Sequence, residues 1–288
     1  MARSVNEGFD EYLRRLTPTQ AQRDAGAGHR SSVKAALESR LNVLNFFETG
    51  SFSHGTGIRG LSDIDALVSL GDKPASSYTA LTRVKHALEA RFPRTPIKIR
   101  RPAVVVEFGG GYETWEIIPG YLSGRGGDHM VYDIPGPSAG ADYIDSAPRS
   151  HNAYVNDANL KPLKGNAKAL ARLIKAWKYH CNVPISSFYL EMRAAQHVKG
   201  IDTYIHVWDV YLLLENLKSH SLAGMNDPSG ATGRINPCSS DAKRDEARSK
   251  VETAAARARK ALDAQRAGKD DTAFYYLDLL FGGSFPAR

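Results

Sequence analysis

Residues 50–70 read GSFSHGTGIRGLSDIDALVSL, a glycine- and serine-rich stretch that runs into a short apolar segment carrying two aspartates. Residues 50–62 are rich in Gly and Ser and poor in apolar side chains, which predicts a turn-rich loop. DIDALVSL has the length and content of a buried strand, ended by GDKPASS. Side chains alternate along a strand, so Asp63 and Asp65 point to one face, about 6.5 Å apart along it. Two carboxylates so placed can share divalent cations. Hard oxygen ligands suit magnesium, which binds through a few carboxylates together with substrate phosphates. A pair of such ions, about 3.5–4 Å apart, activates an attacking hydroxyl and stabilises a leaving pyrophosphate in one in-line displacement. The segment therefore predicts nucleotidyl transfer. Ahead of it, Gly50 lets backbone approach a triphosphate closely and Ser51 offers a hydroxyl donor. The bland alternatives are a helix C-cap at Gly50 and ordinary strand-edge acids at 63 and 65.

Such a site calls for a third carboxylate from a neighbouring strand. Three strand-like runs come after it, at 97–101 (IKIRR), 103–108 (AVVVEF) and 113–118 (ETWEII), the last two joined by a hairpin of three glycines, and they offer Glu107, Glu113 and Glu116. Glu116 is the choice. It lies among apolar residues in TWEIIP, where an unpaired buried carboxylate costs several kcal/mol unless a cation compensates it. Glu113 is expected to be solvated near the turn, and Glu107 competes because its strand parity is open. A salt bridge to an arginine is the bland reading of Glu116.

Working outward, Phe9, Tyr12, Leu13 and Leu16 have helical spacing and are followed by Thr17–Pro18, a cap and first-turn proline. Gly26 and Gly28 are expected to loosen the next segment. Val33, Leu37, Leu41, Leu44 and Phe47 predict a helix from Ser32 up to Gly50, and Leu81, Val84, Leu88 and Phe92 a helix over 77–92 that covers the sheet. Residues 120–159, rich in Gly, Pro, Asp and Ser, predict mostly loop. After Lys161 helical patterning dominates. Leu170, Leu173, Ile174 and Trp177 form an apolar face, with Lys168, Arg172, Lys175 and Lys178 or Tyr179 on the other side. Further helices are expected over 186–197 and 203–217, then a long loop (NDPSGATGRINPCSS). Ser240 can cap an alanine-rich charged helix reaching Gly268, and TAFYYLDLLFGG reads as a short docked helix. The expected fold class is α/β: a nucleotidyltransferase core with a mixed sheet and the N-terminal helices over 1–158, and a helical nucleotide-binding lobe over 159–288.

The chain has 288 residues, 42% hydrophobic and 24% charged, which fits a globular protein and excludes disordered and collagen-like classes. No apolar run is long enough to span a membrane. The first residues lack the pattern of a secretory signal, so a cytoplasmic location is expected. Cys181 and Cys238 lack metal-ligand or disulfide spacing and read as packing residues. The net charge of +7 favours an anionic partner, with a solvated basic surface as the alternative; it permits nucleic acid without requiring it.

The order Gly-Ser, eleven residues, then Asp-x-Asp on a strand resembles the nucleotidyltransferase superfamily that includes polymerase beta, poly(A) polymerases and oligoadenylate synthases. RLIKAWK at 172–178, PISSFYLE at 184–191 and FGGSFP at 281–286 narrow the resemblance to the CD-NTases, bacterial relatives of cyclic GMP-AMP synthase, over almost the whole chain. That resemblance implies a polymerase beta-like core, Mg2+ or Mn2+ as cofactor, and nucleoside triphosphates as substrates. It implies a cyclic di- or trinucleotide product that activates a separate effector protein in antiphage defence. It also implies that a helix lysine and a serine hold the donor triphosphate, here Lys175 and Ser187, and that an aromatic after the serine, Phe188, stacks on a base. A lysine on the exposed face of its helix can supply a charge-assisted bond to phosphate. As bland readings, Lys175 is a solvated cation, Ser187 a helix cap with Glu191 near a capping-box position, and Phe188 simple core. Two departures stand out. The third acid is often Asp in the family, and His54 stands where relatives often carry a basic residue; it is read here as a loop residue. Two other functions compete: transfer of single nucleotides to RNA, protein or a small molecule, and nucleic-acid binding without catalysis, which predicts loss of a metal carboxylate.

Overall fold

The computed structural model describes residues 4–125, 127–138, 142–160 and 164–288, and the backbone alone of 21–27. Helix α1 (Val5–Leu16) begins at a capping box in which Ser4 and Glu7 satisfy each other's backbone N–H groups. Helix α2 (Gln20–Glu38) runs through Gly26 and Gly28 without a break and is followed by strand β1 (Val43–Thr49). The helix expected from Ser32 to Gly50 thus ends at Glu38. Leu41, Leu44 and Phe47 have helical spacing, but VLNFFET is rich in strand-favouring side chains, and its pairing with the next strand outweighs the local period. Leu44 is accordingly exposed, and the adjacent Phe46 and Phe47 pack on opposite sides of the sheet.

A single helical turn, α3 (Gly50–Ser53), leads into the predicted loop and then into β2 (Ile64–Leu70), α4 (Ser77–Arg91), β3 (Ile97–Arg100), β4 (Ala103–Phe108) and β5 (Glu113–Leu122). Strands β6 (Tyr132–Pro135) and β7 (Tyr143–Ser146) and helix α5 (Pro148–Leu160) come next. Residues 120–159 are therefore not mostly loop: β6 adds to the far end of β5 and β7 to β6, in pairings that a Gly- and Pro-rich composition hides. The order across the sheet is β1-β2-β5-β4-β3. Only β2 and β5 run parallel among the described strands, so the sheet is mixed. Side chains 64, 66 and 68 of β2 and 115 and 117 of β5 pack under α2 and α4, which leaves the odd-numbered face of β2 and the even-numbered face of β5 for the site.

Helices α6 (Asn166–His180), α7 (Ser187–Lys199) and α8 (His206–Ser219), the small ribbon β8 (Met225–Asn226) and β9 (Arg234–Ile235), α9 (Asp241–Arg266) and α10 (Asp270–Leu280) complete the chain. Lys161, from which helical patterning is expected, lies outside the described residues. Ser240 caps α9 as expected. The helices share a second core, and α1 belongs to it: Phe9 and Tyr12 pack on Phe281 and Phe285, and the Tyr12 hydroxyl meets Ser284 Oγ at 2.6 Å. The FGGSFP segment is thus the seat of α1, which packs outside the lobe that the sequence assigns to 1–158. Among the described residues no helix is long and apolar enough to cross a membrane.

Candidate active site

The parallel pairing of β2 and β5 sets Asp65 directly beside Glu116, and antiparallel β4 sets Val105 on Glu116's other side. Neighbours in register share a face, so Asp65 and Glu116 stand side by side opposite the α2/α4 core. Asp63, just before β2, joins them: the Arg100 guanidinium bridges Asp63 Oδ2 (3.0 Å) and Glu116. Burial, then the neighbouring Glu116 and Asp63, holds the Asp65 carboxyl well above the usual range for aspartate. Burial and a hydrogen bond with Asp63 raise Glu116 too, against the pull of Arg100.

Parity does not separate the candidates for the third acid, because Glu107 lies on the same face as Glu116. Its place in the register does: Glu107 sits opposite Thr114, two residues along β5, and ion-pairs with Lys98 on the outer strand. Glu113 faces the other way. It accepts from the Trp115 indole (2.6 Å) and pairs with His29 (3.0 Å), so it is largely buried rather than solvated.

Gly50 follows a strand and not a helix, which removes the C-cap reading. Its φ is +59°, and a Cβ placed there would stand 2.0 Å from Asp65 Oδ2. Only glycine combines that backbone with that approach, so the loop is seated on the acid face. The Ser51 carbonyl accepts from Thr56 N–H at 2.9 Å, which closes the loop on itself.

Across from this lie α6 and α7. Lys175 is not on an exposed face: it is fully buried, and its ammonium donates to Glu191 (2.5 Å) and to the Thr56 carbonyl (3.2 Å). One turn on, Lys178 Nζ donates to Ser187 Oγ at 2.9 Å. Burial and Lys175 lower the Lys178 pKa, while Asp63 is close enough to oppose them. Ser187 is not the helix cap; Ser186 is, accepting from Tyr189 N–H. Phe188 is half-buried against His151, ring centres 4.8 Å apart. His54 is no idle loop residue. It is buried, with Nδ1 3.0 Å from Glu191 Oε2 and Nε2 without a partner among the described residues.

The model of the family described as "Second Messenger Oligonucleotide or Dinucleotide Synthetase domain" matches residues 3–159, more than half of the chain. The chain belongs to this family. Among solved structures it is similar to Escherichia coli MS115-1 CdnC with ATP, at 16% identity and a TM-score of 0.78 over 98% of this chain and 99% of that one. It is also similar to the Bradyrhizobium diazoefficiens CD-NTase CdnG in complex with GTP, at 13% identity and a TM-score of 0.73 over 96% and 97%. Vibrio cholerae DncV cyclic AMP-GMP synthase, in complex with the linear intermediate 5' pppA(3',5')pG, matches at 14% identity and a TM-score of 0.67 over 84% of this chain and 70% of that one. No curated protein matches. The fold is that of the CD-NTases, within the polymerase beta-like superfamily, and this second-messenger synthetase chain is a nucleotidyltransferase by family.

The acid face suits a divalent cation. Among the described residues no three His, Cys, Asp or Glu side chains already converge as a ready-made ligand set. Yet Asp63, Asp65 and Glu116 are all hard oxygen donors; burial raises Asp65, with Glu116 and Asp63 adding to it, and burial with Asp63 raises Glu116, while the Arg100 guanidinium bridges Asp63 and Glu116. Lys178, Arg100 and Glu191 are the site residues that sequence reasoning missed. Lys178 and Glu191 stand within the quoted RLIKAWK and PISSFYLE, but helical period alone does not say which lysine of the face meets the neighbouring helix and which is buried.

Proposed function

We propose that this synthetase joins nucleoside triphosphates into a cyclic oligonucleotide at the face formed by Asp63, Asp65 and Glu116. The observation that carries this reading is the seating of Gly50 on Asp65, with Lys178, bonded to Ser187, close enough to Asp63 to feel its charge. The donor triphosphate lies between them, held by Ser51 and by Lys178 with Ser187; Lys178 takes the role the sequence assigns to Lys175, whose ammonium is already committed to Glu191. Phe188, half-buried beside His151, stacks on a base. The sheet with α2 and α4 supplies the acids, and the helical core, to which α1 belongs, supplies the lysine and serine.

Magnesium, or manganese, held by Asp63, Asp65 and Glu116 supplies charge neutralisation for the reacting phosphate and the leaving pyrophosphate. The acceptor's ribose hydroxyl oxygen attacks the donor α-phosphorus; a new P–O bond forms, the α–β anhydride bond breaks and pyrophosphate leaves. Glu116, the carboxylate on the strand beside Asp65, takes the hydroxyl proton. Repetition lengthens the chain, and attack by its own terminal hydroxyl closes the ring. We place the reaction in the cytoplasm, where the triphosphates are, and assign the product to an effector protein in antiphage defence. Support comes from the synthetase family match and from relatives whose structures hold ATP, GTP or a linear dinucleotide intermediate.

The test is pyrophosphate release from nucleoside triphosphates with magnesium. Asp63→Asn and Asp65→Asn are expected to abolish it while circular dichroism stays unchanged. Retention of about a tenth of wild-type turnover in either variant contradicts the role of the acid face.

A further inference from the structure

The loop that follows Ser51 is held chiefly from the opposite lobe. Glu191 on α7 accepts through Oε1 from the Thr56 hydroxyl (2.7 Å) and from Lys175, while its Oε2 takes the His54 Nδ1–H. Lys175 on α6 donates in addition to the Thr56 carbonyl, and Arg172, one turn earlier, donates to the Gly55 carbonyl at 2.5 Å. Ile58 is buried in the helical core. Residues 54–58 are thus tied to α6 and α7 by side chain, backbone and packing together. The Lys175–Glu191 and Lys178–Ser187 pairs are successive rungs between the same two helices, three residues apart on α6 and four on α7, hence on matching faces. The inner rung grips the loop, and the outer rung faces the cleft.

We infer that Glu191 and Lys175 are positioning residues for the triphosphate: they fix loop 54–58, and through it Gly50–Ser51, at a set distance from Lys178 and Ser187. The inference rests on the nucleotidyl-transfer reading of the cleft. A buried ion pair is a poor device for stability alone, since well-packed apolar replacements are often neutral or better. Here every atom that satisfies the carboxylate comes from the loop or from the lysine that also holds the loop. Burial works to raise Glu191, but Lys175 and His54 outweigh it and keep the carboxylate ionised, available as an anchor.

The experiment measures binding of a non-hydrolysable ATP analogue, pyrophosphate release and melting temperature for the wild type, Lys175→Met, Glu191→Gln, the double variant Lys175→Met/Glu191→Leu, and Thr56→Val. Each single change at 175 or 191 is expected to lower the melting temperature, because it strands a buried charge or its acceptor. The double variant is expected to recover much of that loss while its analogue affinity stays about tenfold weaker than wild type, the scale of one hydrogen bond to a charged group. Thr56→Val, nearly isosteric, is expected to weaken binding severalfold at an almost unchanged melting temperature. A double variant that recovers affinity along with stability, or a Thr56→Val enzyme that binds like wild type, overturns the inference; if the double variant does not fold, Thr56→Val decides alone. A wild type that binds the analogue but releases no pyrophosphate sinks the catalytic reading and leaves the clasp to be judged by binding, whereas a wild type that binds no triphosphate overturns both.

Discussion

Burial beside Glu116 and Asp63 favours a protonated Asp65 in the folded chain, and the linkage has a definite sign. With its folded pKa raised, Asp65 contributes stability that is full below the ordinary aspartate value and is lost as pH rises through the raised one. Asp65→Asn is therefore expected to melt higher than wild type at about pH 8 without divalent cation, with the gap closing at about pH 4. Magnesium should raise the melting temperature of the wild type and not that of the variant. A variant that melts lower than wild type at the alkaline end contradicts this account. Lys178 gives the complementary case. Burial and Lys175 depress its pKa, so its charge is lost at a lower pH than that of an ordinary lysine. Triphosphate KM is expected to rise early on the alkaline side, and Lys178→Arg, which keeps its charge there, to flatten that limb. Lys178→Ala is expected to weaken triphosphate binding by about 1.5–3 kcal/mol and nucleoside binding hardly at all. Equal weakening of both ligands would show that Lys178 supports packing and not phosphate.

Strand register separates the two glutamates on the acid face. Glu116 stands beside Asp65, whereas Glu107 lies one step outward with Lys98. Glu116→Gln should lose nearly all turnover and Glu107→Gln should keep most of it; the reverse result in pyrophosphate release places the third carboxylate on β4. Gly50→Ala belongs to the same scale. Its methyl group would meet the Asp65 carboxylate at a positive φ, so turnover should collapse even where the fold survives. Elements whose period is local are legible in the sequence: β2, α4, the β4–β5 hairpin and the cap of α9 all derive from short-range pattern. Strand β1 is not, because Leu41, Leu44 and Phe47 fit a helix until β2 pairs with it. Strands β6 and β7 are four residues each and exist through pairing, β6 with the end of β5 and β7 with β6. Asp63 and Asp65 draw attention in the sequence because they stand two apart at the head of one strand, whereas the nearness of Glu116 comes from the pairing of β2 with β5. Which lysine to choose is not legible there, since a helix face states spacing but not which neighbour will bury it.

Over the whole molecule, elements far apart in sequence pack together: α1 docks with Phe281 and Phe285 in the helical core. Phe9→Ala is expected to cost about 3–5 kcal/mol of global stability, the range for a fully buried phenylalanine, as seen by denaturant unfolding. A loss under about 1 kcal/mol would mean that α1 is peripheral. The acid face of the sheet and Lys178 of the helical core lie close enough for Asp63 to act on the lysine, and the proposed reaction needs both. The measurement that tests this most directly is mass spectrometry of what the purified protein makes from all four nucleoside triphosphates with magnesium or manganese, beside Asp63→Asn. The predicted result is a cyclic oligonucleotide with no terminal phosphate and one pyrophosphate per linkage, absent with the variant. Single nucleotides added to protein, RNA or a small molecule, or no consumption of triphosphate at all, would contradict it.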